Sequence, residues 1–97
     1  MDKRIRLNLL YDYYKDFFTE KQQSYFEDYY YNNYSLGEIA EVNEVSRNAV
    51  HNQLKIVEDR LEEIENILNL VDKKEKILAL LQDKVDRQLL NKIEDIL

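Results

Sequence analysis

One stretch of the sequence combines side chains that can hydrogen-bond to the edges of nucleic-acid bases. Arginine and lysine can donate to O6 and N7 of guanine, and asparagine can pair with N6 and N7 of adenine. Such side chains recur over residues 47–55 on one side of a predicted helix, whereas Val50 and Leu54 fall on the other side. The candidate contact residues are Arg47, Asn48, His51, Asn52 and Lys55. The competing interpretation is that they are ordinary solvated helix residues.

The residues before this helix predict the element that would position it. Ser35 and Glu38 have the spacing of a capping box, which starts a short helix. Residues 43–45 interrupt the helical periodicity, and Ser46 then caps the second helix. A small residue, Ala40, stands where the two helices would cross closely. The pattern predicts a helix-turn-helix motif.

Three segments of the sequence also resemble a known family. They are TEKQ at residues 19–22, SLGEIAE at 35–41 and VSRNAV at 45–50. With their surroundings, roughly residues 7–70, they resemble the YlxM family of small bacterial helix-turn-helix proteins, whose fold is similar to region 4 of primary sigma factors. The resemblance implies a non-enzymatic accessory or regulatory protein tied to the signal recognition particle pathway.

The turn of the motif departs from the usual pattern of that family. Asn43 stands where a large apolar residue is usual, and Glu44 stands where Gly or Asn is usual. A left-handed conformation at Glu44 would cost about 1–2 kcal/mol. We expect Val42 to supply the missing apolar contact through a shifted register.

Composition and charge limit the fold and the function. The chain has 97 residues, no proline, no cysteine and one glycine, which indicates an all-α domain without disulfides or thiolate metal sites. Its net charge is −6, and residues 43–60 carry three basic and three acidic groups. Tight non-specific binding to phosphates is therefore not expected. The possible phosphate contacts are Lys3, Arg4 and Arg6.

The N-terminal third predicts two helices. The first covers residues 3–18, and a capping box of Thr19 and Gln22 starts the second, which ends at Asn32 and Asn33. All eleven aromatic residues lie within residues 11–34. They either fill a small core or offer stacking platforms for single-stranded RNA. The three outside the main apolar stripes are Tyr13, Tyr31 and Tyr34.

The C-terminal part predicts a long helix followed by a second apolar helix. Apolar residues alternate at spacings of four and three through residues 47–70, which predicts the long helix. A bend is predicted at residues 71–74. Asp72 with Glu75 signals the start of a last helix that runs to the C-terminus. We divide the chain into a helix-turn-helix domain, residues 1–60, and a C-terminal hairpin extension of the same domain, residues 61–97. The apolar hairpin favours a homodimer. The alternative is that its apolar surface is a docking groove for a helix of a partner protein. The predicted dimer contacts are Leu61, Ile64, Leu68, Leu81 and Leu89.

An enzyme is the class that the sequence excludes most easily. One histidine, no cysteine and no glycine-rich phosphate loop leave no catalytic or metal-binding pattern, and no cofactor is expected. The longest apolar run is five residues, so we expect a soluble cytoplasmic protein without a membrane span. Two functions remain open. One is binding of nucleic acid, the RNA of the particle or a DNA site, and the other is binding of a basic protein such as the particle's GTPase subunit.

Overall fold

The computed structural model describes residues 2–97, which form six α-helices and no strand. The all-α prediction is therefore confirmed. No helix among these residues has the length and apolarity that crossing a membrane requires. A 3-10 turn, Lys15–Phe17, separates the first two helices. The helices are α1 (Lys3–Tyr14), α2 (Glu20–Tyr30), α3 (Leu36–Asn43), α4 (Arg47–Leu68), α5 (Leu70–Leu81) and α6 (Arg87–Ile96).

Side-chain caps start α2, α3 and α4 where the sequence predicts them. Thr19 and Ser35 each form a complete capping box, in which the hydroxyl accepts from the backbone N–H three residues on and that residue's side chain accepts from the N–H of the cap. Ser46 Oγ accepts from the N–H of Ala49 at 3.1 Å. Each cap satisfies amide groups that the first helical turn leaves unpaired, which fixes the helix starts locally.

The core forms around α4, against which α1, α2 and α3 pack. Aromatic rings fill much of it: Tyr11 stacks on Phe26 at 4.2 Å between ring centres, and Tyr14 and Tyr25 are fully buried. The core interpretation is thus confirmed for these four rings. The inward residues of α4 are Val50, Leu54, Val57, Leu61 and Ile64.

The three aromatics outside the main stripes have different environments. Tyr13 is half-buried, and its hydroxyl donates to the carbonyl of Leu97 at 2.6 Å. Tyr31 packs edge-on against Tyr11 and donates to Asp12. Tyr34 is exposed. Two of the three are therefore tied to neighbouring helices.

The helix-turn-helix turn contains the left-handed residue that the sequence suggests. Glu44 has φ 57° and ψ 43°, and the Asn43 side chain donates to the carbonyl of Ile39 at 2.7 Å. Val45 packs against the core. The expectation for Val42 is wrong, because its side chain is 75% exposed. A polar bond from Asn43, not an apolar contact from Val42, closes the last turn of α3.

A buried carboxylate joins α4 to α1 and α5. Glu65 is 3% exposed, and its Oε1 accepts from the hydroxyl of Tyr14 at 2.5 Å and from the N–H of Val71 at 3.2 Å. Its Oε2 accepts from the N–H of Asp72 at 2.9 Å. The side chain of Asn69 makes no cap bond, so Glu65 caps α5 from the preceding helix. Burial, together with the bond to Glu65, raises the pKa of Tyr14 to about 12.

The C-terminal hairpin differs from the prediction. The bend lies at Asn69, whose φ of 56° ends α4, so the predicted bend at residues 71–74 is wrong. The last helix is not continuous either: residues 82–86 interrupt it, and the carboxylate of Asp86 caps α6 by accepting from the N–H of Leu89 at 2.7 Å. The first helix likewise ends at Tyr14, before the 3-10 turn.

Two of the predicted dimer contacts belong to the core of the protomer itself. Leu61 and Ile64 are 0% and 4% exposed, so the prediction that they face a second subunit is wrong. They belong to the core cluster of the protomer, where α1 packs against α4 and bonds to its second half through Glu62 and Glu65. Leu81 is half-buried, and Leu68 and Leu89 are exposed.

The molecule is elongated. Its radius of gyration is 16.4 Å, against about 12.5 Å expected for a compact chain of this length. The helix α4 alone spans about 33 Å, and α6 contacts α5 but has little other support. Large apolar side chains therefore remain at the surface of this end, such as Leu80 and Ile96.

We expect Glu65→Gln to lower the free energy of unfolding by about 1–3 kcal/mol, because an amide in place of the carboxylate leaves a buried N–H without an acceptor. Urea unfolding followed by circular dichroism measures the effect. The control is Glu63→Gln, at an exposed position of the same helix, where the ion pair with Arg60 contributes little to stability. Equal midpoints for the two variants would contradict the role of Glu65.

We expect Glu44→Gly to raise the free energy of unfolding by up to about 1 kcal/mol, because glycine adopts the left-handed conformation without a Cβ clash. The matched control is Glu41→Gly inside α3, which should lower it by about 1 kcal/mol. Thermal melts of both variants test the prediction, and two changes of the same sign would refute it.

Candidate nucleic-acid interface

The first half of α4 has one buried and one exposed side. Val50 and Leu54 are 0% and 3% exposed, and Val57 is also buried. Because three inward residues at spacings of four and three fix the rotation of the helix, the other side must face solvent. The structure exposes all five candidate contact residues there, which are Arg47, Asn48, His51, Asn52 and Lys55. They form a continuous polar face, here called the α4 face.

The guanidinium of Arg47 lies against the first turn of α3. A methyl group placed on Gly37 would come within 2.8 Å of Nη2 and 3.0 Å of Nε of Arg47. Because these atoms end a flexible, exposed side chain, a Cβ at residue 37 would displace the guanidinium of Arg47, whereas Gly37 leaves it in place. A guanidinium at this position has donors suited to a phosphate or to the edge of guanine. The sequence contained one signal for this role, since Gly37 is its only glycine.

The other end of the α4 face is partly occupied by an ion pair. Lys55 Nζ lies 3.0 Å from Asp59 Oδ1, and this hydrogen bond raises the pKa of Lys55. His51 lies one turn earlier on the exposed side. Within residues 2–97, no group of three His, Cys, Asp or Glu side chains is placed to hold a metal ion.

The basic residues at the start of α1 differ in how far their side chains already bond to other parts of the protein. Arg6 donates twice to the carboxylate of Glu62, at 2.8 and 3.0 Å, and this bond raises its pKa. Arg4 donates to the carbonyl of Tyr29 at 2.8 Å and lies over the ring of Tyr30. The side chain of Lys3 is 78% exposed. Of the three candidate phosphate contacts, Lys3 is therefore the most accessible, whereas Arg4 and Arg6 attach α1 to α2 and α4.

A cleft of about 380 Å³ connects these basic residues to the α4 face. Lys3 and Arg4 of α1 line it together with His51 and Lys55 of α4. The fold thus brings together two groups of predicted contacts that are more than forty residues apart in the sequence. Arg47, Asn48 and Asn52 do not line the cleft and continue the α4 face beyond it.

Two carboxylates give the cleft a mixed charge. Glu58 and Asp2 both line it, and Glu58 Oε1 lies 3.7 Å from the ammonium of Lys3. The other oxygen of Glu58 accepts from the hydroxyl of Tyr30 at 2.8 Å. Burial and this hydrogen bond raise the pKa of Tyr30 above its ordinary value. The cleft therefore offers hydrogen-bond acceptors as well as cations.

Comparison with known proteins places the chain in a family. Residues 1–96 match the model of the family UPF0122, described as "Putative helix-turn-helix protein, YlxM / p13 like". A UPF0122 protein of Halalkalibacterium halodurans is 47% identical over 91% of this chain and 84% of its own length. A UPF0122 protein of Oceanobacillus iheyensis is 40% identical over 99% of this chain and 98% of its own length. A relative from Geobacillus is 43% identical over 98% of this chain and 78% of its own length.

These matches cover almost the whole chain, including the helix-turn-helix motif and the α5–α6 hairpin. The resemblance seen in three short segments thus extends well beyond residues 7–70. The chain belongs to the YlxM/p13-like family of helix-turn-helix proteins.

Proposed function

We propose that this protein is a non-enzymatic, cytoplasmic helix-turn-helix factor that binds nucleic acid through the α4 face and is accessory or regulatory to the signal recognition particle pathway. The observation that carries the proposal is the joint exposure of the five α4-face side chains on a helix whose opposite side is buried. Membership of a helix-turn-helix family supports the same mode of binding. The expected ligand is the RNA of the particle or a DNA site.

The α4 face would contribute more to discrimination between base sequences than to the total affinity for nucleic acid. Each well-placed pair of hydrogen bonds from Arg47 or an asparagine to a base contributes about 1–3 kcal/mol of discrimination. Phosphate contacts are few, because Lys55 and Arg6 already pair with carboxylates of the protein. Binding should therefore weaken with salt along a shallow slope.

The acidic surface favours a second candidate function. With a net charge of −6 and several of its cations paired internally, the protein would attract a basic partner by electrostatic steering. Such a partner could be the GTPase subunit of the particle. In this alternative the domain keeps the helix-turn-helix fold and acts as a protein-interaction module.

We expect the double substitution Arg47→Ala with Lys55→Ala to weaken binding to the particle's RNA or to a DNA site at least about tenfold, because it removes both cations of the α4 face. Gel shifts measure the change. The control is Arg60→Ala with Lys73→Ala, which removes the same charge from exposed positions outside the face.

A pull-down from the same cell extract separates the two functions. Unchanged gel-shift affinity for the first pair of substitutions would count against the α4 face as the binding surface. Retention of a basic protein by a wild type that shifts neither RNA nor DNA would support the interaction module instead.

We further propose that the protein forms a homodimer through the exposed apolar residues of α5 and α6. Exposed apolar surface of this kind on a small domain usually marks an interface. The exposed residues of α6 carry both charge signs, Arg87 and Lys92 with Glu94 and Asp95, so two antiparallel copies could pair them. Of the residues predicted from the sequence, the accessible ones are Leu68, Leu81 and Leu89.

We expect Leu80→Asp with Ile96→Asp to convert the dimer to a folded monomer, because both side chains are largely exposed, at 74% and 84%, and carry little of the core. Light scattering measures the mass. The control, Val42→Asp, changes an exposed apolar residue next to the helix-turn-helix turn and should stay dimeric. A wild type that is monomeric at micromolar concentration would refute the homodimer.

A further inference from the structure

The cleft beside the α4 face is concave, and a continuous double helix would not fill it. Its volume, about 380 Å³, lies at the lower end of the range of small-ligand sites. Four segments line this open cleft, which are the start of α1, the end of α2, the start of α3 and one side of α4. The edges of stacked base pairs are read by side chains that project into a groove, whereas a concave site of this size fits a single group that leaves the stack.

The apolar and aromatic side chains among the residues that line the cleft suit a flat aromatic ligand. Leu36, Leu54 and the ring of Tyr29 contribute apolar surface. Arg4 is held by hydrogen bonds to the carbonyls of Tyr29 and Tyr30, at 2.8 and 3.1 Å. Its guanidinium is thus fixed in orientation before any ligand arrives. Unpaired bases stack on aromatic side chains and on arginine planes of this kind.

The charges of the cleft suit a nucleotide better than a bare phosphate. The carboxylate of Glu58 would repel an anion placed beside it, yet it accepts hydrogen bonds from amino groups of a base or from a ribose 2′-hydroxyl. Lys3 lines the cleft with a side chain that is 78% exposed, so it is placed to contact a phosphate that flanks such a nucleotide. His51 belongs both to the cleft and to the α4 face, so it connects the two surfaces.

We propose that the cleft receives one unpaired nucleotide of an RNA whose adjoining helix is contacted by the α4 face. This inference rests on the proposed nucleic-acid function and narrows it: the preferred ligand is an RNA with a bulged or looped-out nucleotide, not a continuous duplex.

The test compares two RNA hairpins that differ only in one bulged 2-aminopurine nucleotide. The wild type should bind the bulged hairpin about tenfold more tightly than the fully paired one, and 2-aminopurine fluorescence should change on binding. Leu36→Trp, which fills the cleft, should bring the affinity ratio to about one. Val42→Trp adds the same ring at an exposed position outside the cleft and should keep the ratio.

A DNA hairpin with the same bulge should bind more weakly, because it lacks the 2′-hydroxyl.

A second pair of variants covers the case in which Leu36→Trp does not fold. Lys3→Glu changes an exposed side chain of the cleft, and Lys73→Glu makes the same change on exposed α5, away from it. We expect the first to weaken binding of the bulged hairpin at least about fivefold more than the second, since exposed charges farther than about 10 Å from the ligand are largely screened.

The outcomes distinguish the two proposals. Equal affinity for bulged and paired RNA would refute the nucleotide cleft and leave the proposed function standing. A wild type that binds neither hairpin, nor any other RNA or DNA, would refute both. Equal binding of the bulged DNA would refute the preference for RNA.

Discussion

The burial of one stripe along α4 is the constraint on which the rest of the structure depends. Every helix from α1 to α3 packs against α4, and α5 packs against α1. Residues buried on one side fix the rotation of the helix, and the rotation decides which side chains face solvent. The α4 face therefore follows from the core, because the buried residues alone decide which side chains of α4 face outward. A binding surface on a helix whose rotation is fixed in this way is pre-organised, which lowers the entropic cost of contact.

The second half of α4 carries a buried charge, the carboxylate of Glu65. The chain leaves α4 at a single left-handed residue, Asn69, and α5 then packs against α1 and adds Val71 to the core. The cost of desolvating Glu65 is offset by three hydrogen bonds, two of them to amides at the start of α5. This arrangement specifies where α5 begins. The α6 helix has no comparable attachment besides α5 and the bond from Tyr13 to the C-terminal carbonyl.

The distribution of charge explains how an acidic molecule can present a selective polar face. Several cations that would otherwise attract phosphate serve the fold: Arg6 pairs with Glu62, and Arg4 holds the last carbonyls of α2. The α4 face keeps Arg47 and two asparagines, whose donors and acceptors suit base edges or protein groups alike. The cleft beside this face is lined by cations, carboxylates and apolar side chains together.

The sequence by itself determined the features that depend on near neighbours in the chain. The caps at Thr19, Ser35 and Ser46 start their helices because the bonds close within three residues, and the spacing of Val50 and Leu54 is enough to predict which side of α4 is buried. The sequence raised a left-handed conformation at Glu44 only as a condition, and the structure shows that Glu44 adopts it.

Only the tertiary structure decided the features that join distant residues. Tyr14 and Glu65 are 51 positions apart, and Arg6 and Glu62 are 56 apart, so no local pattern indicates that they meet. For the same reason the apolar pattern could not tell that Leu61 and Ile64 are covered by the protomer's own helices, or that Gly37 makes room for Arg47. Periodicity reports that a side chain is buried, but the partner that buries it is chosen by how the helices pack in three dimensions.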